Sequence, residues 1–103
     1  MPPVNMLVTY RPKEGKEEEI AALVRKHWHA LQGAGLVTDE EVVIWRAVDK
    51  RSGRVSFLEK FQWKDEEAPG IAHQLPEVMA IWEPMTPMLE ELKLDTIERL
   101  ETA

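Results

Sequence analysis

Val4, Met6, Val8 and Tyr10 alternate with Asn5, Leu7 and Thr9, the two-residue period of a strand with one strongly apolar face. After the turn RPKEG, the residues Ile20, Leu23, Val24, His27 and Leu31 recur at the spacing of a single helix face. An acidic first turn, Glu17 to Glu19, precedes them and basic Arg25 and Lys26 follow, so a helix is expected that ends at Gly33 to Gly35. A second strand is expected over 41–48, with Val42 and Ile44 on one face and Val43, Trp45 and Ala47 on the other. The turn DKRSGR joins it to VSFLEKFQW, which alternates Val55, Phe57, Phe61 and Trp63 against Ser56, Lys60 and Gln62, giving a hairpin.

Asp65 then offers a cap for a short helix with the stripe Ala68, Ile71, Ala72 and Leu75. A longer helical stripe follows through Val78, Ile81, Trp82, Met85, Met88, Leu89 and Leu92. Pro84 and Pro87 lie inside it, and each removes a backbone donor, so a kinked or broken helix is expected, with Thr86 capping a second segment. The tail KLDTIERL mixes Leu94, Ile97 and Leu100 with charges, as an edge strand does.

This order, βαββαβ, predicts an α+β, ferredoxin-like domain over residues 1–103, with a four-stranded antiparallel sheet and helices on one face. Helices on one side leave the other side open, and Leu7, Val43 and Trp45 stand there. A contiguous apolar patch of that kind marks an interface, so a two-fold homodimer formed sheet to sheet is expected.

Composition narrows the function. A chain of 103 residues with 44% hydrophobic content builds one core. The net charge of −6, spread along the chain, excludes a phosphate-backbone partner, which needs a basic face. No cysteine is present, which removes disulfides and thiolate metal sites and suits a reducing cytoplasm. The start MPPVNMLVTY has no basic or long apolar stretch, and no later apolar run approaches the roughly 20 residues that cross a bilayer, so a cytoplasmic protein without membrane contact is expected.

Polar groups on apolar faces are the candidate chemistry. Glu59 shares a strand face with Phe57, Phe61 and Trp63, so it must either pair or face a wet cavity. Arg46, in the partner strand of the hairpin, could pair with it or clamp a substrate. His27 lies between Val24 and Leu31 and should point at the sheet, as a hydrogen-bonded core residue or as a base. His29 lies about 200° around the same helix, so HWH is not a chelating pair and no metal site is expected. On a regular helix His73 falls roughly 150° from the apolar stripe, although Pro69 and Gly70 disturb that geometry. Met79, Met85 and Met88 offer an adaptable wall.

The element order, Trp63 followed by KDEEA, then AHQ and PEVMAIWEPM, resembles the antibiotic biosynthesis monooxygenase-like domains of the dimeric α/β-barrel superfamily. The resemblance implies a pocket between sheet and helices in each subunit, holding a flat phenol or quinol. Once deprotonated, such a molecule passes an electron to oxygen itself, with no bound cofactor. In that frame His73, at the family's histidine position, and His27 are the candidate proton acceptors. Trp63, Trp82 and Tyr10 would clamp the ring, and Arg46 would hold an oxyanion. The haem-degrading branch is disfavoured, because at the spacing from Gly15 where its pattern places an asparagine this chain has Val8. The rival reading is a non-catalytic small-molecule-binding or stress-associated module on the same barrel.

Overall fold

The computed structural model describes residues 2–102; Met1 and Ala103, the outer ends of the expected domain, lie outside the described residues. The first alternation forms β1 (Val4–Pro12), and the first helical stripe forms α1 (Glu17–Gly33). β2 (Val43–Val48) and β3 (Val55–Trp63) make the hairpin, with β2 starting two residues later than its sequence pattern. Between them Asp49 organises the turn: its Oδ1 accepts the backbone N–H groups of Arg51 and Ser52, and Gly53 takes a left-handed φ of 73°. Those backbone donors, Ser52 first, hold the Asp49 carboxyl below its usual range.

α1 ends in a Schellman motif. The N–H of Leu36 reaches the carbonyl of Leu31 and that of Gly35 reaches Gln32, with Gly35 at φ 72° where only glycine is unstrained. Leu36 and Leu31 are both buried, which supplies the hydrophobic contact that accompanies the motif.

The second helical region departs from a continuous stripe. α2 (Ala68–Ala72) is followed by α3 (Pro76–Met85) and a 3₁₀ turn over Thr86–Met88, and β4 (Leu89–Thr96) begins at once. The Asp65 carboxylate accepts the N–H groups of Glu67 and Ala68, so it caps the turn leading into α2. Thr86 does not act as a cap: its hydroxyl bonds back to the Trp82 carbonyl at 3.5 Å. Leu89 and Leu92, expected on a helix, belong to β4. Pro87 cannot donate a further α-helical bond, the Leu89 N–H closes the 3₁₀ turn on the Thr86 carbonyl, and Leu92 and Leu94 then alternate with Glu91, Lys93 and Asp95. Ile97 and Leu100 lie beyond the strand.

The sheet order is β2-β3-β1-β4, antiparallel at every pairing, which is the ferredoxin-like arrangement expected. One face is covered. Val8, Tyr10, Phe57, Phe61 and Trp63 are buried beneath Ile20, Val24 and Leu31 of α1 and Val78 and Ile81 of α3. Each fully buried aliphatic side chain contributes about 2 kcal/mol. The other face is mixed. Register places Trp45 beside Leu58 and sets Val43 and Leu7 on either side of Lys60, while the β1–β4 half carries Thr9, Lys93 and Asp95. Trp45 is 47% exposed and Val43 39%.

Candidate functional site

The covered face holds a polar cluster at its centre. In the β1–β3 register Val8 lies opposite Glu59 and Tyr10 opposite Phe57, so Tyr10 and Glu59 are diagonal neighbours on one face. α1 crosses above them and delivers His27. Glu59 is 0% exposed and His27 3%. The Tyr10 hydroxyl donates to Glu59 Oε1 at 2.6 Å, and His27 Nδ1 stands 2.9 Å and 3.0 Å from the two carboxylate oxygens.

A carboxylate only accepts, so the nitrogen facing it carries the proton and His27 donates from Nδ1. Tyr10 Oη lies 3.4 Å from the same nitrogen, two donors converging on one acceptor. Burial, and then the charge and hydrogen bond of Glu59, push the Tyr10 phenol well above its ordinary value of 10.0, so it stays a neutral donor. The sequence offered Arg46 either as an ion-pair partner for Glu59 or as a substrate clamp. Register instead sets Ile44 opposite Glu59 and Arg46 opposite Phe57, and Arg46 is exposed.

Above the cluster, between the sheet and the second helical region, lies a cavity of about 310 Å³. Its wall is mostly apolar. Tyr10, His27, Trp63, Trp82 and His73 all line it, whereas Arg46 does not. The rings form a sequence: His27 packs edge-on against Phe61 at 5.7 Å, Trp82 follows 5.8 Å from His27, and His73 meets Trp82 at 4.7 Å. His73 is exposed and follows the last residue of α2, where the chain has left the regular helix on which its direction was reckoned.

Two side chains of the lining, His27 and Trp63, each carry a buried nitrogen with no partner among the described residues. With Nδ1 turned to Glu59, His27 Nε2 is buried and unbonded, and so is the indole Nε1 of Trp63. Glu83 and Leu94 also line the cavity, although the sequence offered Leu94 only as an edge-strand position and did not single out Glu83. Leu94 is visible in hindsight through the alternation of β4. Glu83, between Trp82 and Pro84, carries no such signal.

No family model matches the chain, and no curated protein does. Solved structures do match, along nearly its whole length. A Pseudomonas aeruginosa protein superimposes with a TM-score of 0.70 at 15% identity, covering 98% of this chain and 97% of its own. An antibiotic biosynthesis monooxygenase gives 0.70 at 11% identity, with coverage of 95% and 99%. A NIPSNAP family protein of Agrobacterium tumefaciens gives 0.69 at 15% identity, with coverage of 99% and 90%. The chain therefore shares its fold with structures that include an antibiotic biosynthesis monooxygenase and a NIPSNAP family protein, and at these identities the likeness is one of fold.

Proposed function

We propose that the protein is a monooxygenase-like enzyme that binds a flat phenol or quinol in this cavity and oxygenates it without a bound cofactor, using His27 as the base. The observation that carries this reading is His27 itself: it lines an apolar cavity, its Nδ1 is fixed by Glu59, and its buried Nε2 has no partner. A buried polar atom left without a partner costs about 1–3 kcal/mol. A ligand hydroxyl donating to Nε2 removes that cost, and a ligand oxygen accepting from Trp63 Nε1 removes a second.

The chemistry follows from the base. His27 Nε2 takes the hydroxyl proton, and Glu59 stabilises the imidazolium that results. The phenolate passes one electron to dioxygen, and the radical pair joins to form a carbon–oxygen bond. The peroxide oxygen takes the proton back from His27. Loss of water, carrying away the ring hydrogen at the new bond, leaves a quinone. One oxygen atom enters the product and the other leaves as water, so the substrate supplies every electron. Trp63 and Trp82 would flank the ring, with His73 at the rim; Arg46, outside the lining, has no step to perform.

The protein is proposed to act as a single cytoplasmic domain, paired with a second copy through the uncovered sheet face. Exposed Trp45 and Val43 on that face support the pairing. Oxygen uptake with a panel of naphthols and quinols tests the activity. His27→Gln should lower turnover at least ~100-fold while ligand still quenches tryptophan fluorescence. Turnover that survives the substitution would remove His27 from the mechanism. Trp45→Glu should convert the dimer to monomers in sedimentation, and a dimer that persists places the interface elsewhere.

A further inference from the structure

We infer that the cavity sorts its ligands by charge: it takes hydroxyaromatic molecules whose outer end is neutral or carries an ammonium group, excludes those ending in a carboxylate, sulfate or phosphate, and does so through Glu83. This rests on the cavity being a ligand site, as proposed above, and not on any oxygenation.

The lining is one-sided in charge. No lysine or arginine belongs to it; its formally charged member is Glu83, and the carboxylate of Glu59 lies beneath the floor. The arginine closest in chemistry to an anion clamp, Arg46, is outside the lining, and Arg54 is occupied by Glu90 and the Pro12 carbonyl. An anionic ligand would enter an apolar space with no counter-charge, the costly way to bury a charge. It would also meet Glu83 at the rim and a chain of net charge −6.

Glu83 is exposed and has no ion-pair partner among the described residues. It follows Trp82, whose indole separates buried His27 from exposed His73. Glu83 and Trp82 both line the cavity, so a ligand ammonium group can gain from the charge of one and from the ring of the other.

The test uses one naphthol, the same naphthol bearing an aminomethyl group, and the same naphthol bearing a carboxylate at that ring position. Affinities are read by tryptophan fluorescence and calorimetry, without turnover. The aminomethyl compound should bind about 10-fold tighter than the carboxylate. Glu83→Gln should bring that ratio close to one, and Glu83→Lys should invert it. Equal affinities, or a preference for the carboxylate, overturn the inference and leave the ligand site standing. A ratio that survives Glu83→Gln removes Glu83 from it. If none of the three compounds binds, the ligand site and the selectivity fall together.

Discussion

α1 and the stretch from α2 to the 3₁₀ turn cover the same face of the sheet in opposite ways. α1 runs unbroken for 17 residues and is locked at its end by Gly35 and Leu36. It sets His27 at one depth over β1 and β3, and Glu59 then fixes the ring. The second stretch falls into short pieces: Pro76 opens α3, Pro87 lies in the 3₁₀ turn that follows it, and Pro69 and Pro84 sit inside α2 and α3 without breaking them. Val78 and Ile81 pack into the core, whereas Met79, Trp82, Met85 and His73 line the space left between these pieces and the sheet. The continuous helix supplies a fixed polar group, and the interrupted one supplies the space beside it.

The sharpest way to break this contrast is Glu59→Ala. It leaves the Tyr10 hydroxyl and His27 Nδ1 buried without their acceptor and opens a void, and it should cost about 3–5 kcal/mol in urea unfolding. A loss below 1 kcal/mol would mean that water or another group replaces Glu59 and that His27 is not held as described.

Tyr10→Phe is the intermediate case, at about 1–2 kcal/mol near neutral pH. It also has a pH signature. The phenol's value is raised in the folded protein, so Tyr10's contribution is complete below the unfolded value of 10.0 and is lost as pH climbs through the folded value. Wild-type stability should therefore fall above pH 10 more steeply than that of the variant. Because Tyr10 is the chain's one tyrosine, tyrosinate absorbance should appear only as the protein unfolds. Its appearance in folded protein near the ordinary phenol value would contradict the buried pairing.

His73→Ala should have the smallest effect, within about 0.5 kcal/mol, because the residue is exposed and its ring meets Trp82 in an edge contact at the cavity rim. A larger loss would show that the second helical region is as rigid as α1.

Much of the frame was legible because its signals are local. Strand alternation, the Asp49 turn and the glycine end of α1 each depend on neighbours a few residues apart. The helical stripe misled beyond Met85 because Leu89 and Leu92 fit a helix period and a strand period alike, and only Pro87 decides between them. The site was half legible. Glu59 stood out as a carboxylate among aromatic residues, but the hairpin offered Arg46 as its partner, being close in sequence. The true partners lie 32 and 49 positions away, His27 on α1 and Tyr10 on β1. Nothing in the chain's periodicity specifies which of the residues on two packed faces will meet.

That separation has a kinetic consequence. The cluster joins the first strand, the first helix and the third strand, so no segment that stops short of β3 can form it. Contacts so far apart in sequence close loops late and slowly. The exchange of the amide hydrogens around Tyr10 and Glu59 should therefore require opening of the whole domain, while those of α2 exchange through local fraying. Any chemistry the cluster performs belongs to the fully folded protein alone, and it switches off at the first cooperative step of unfolding.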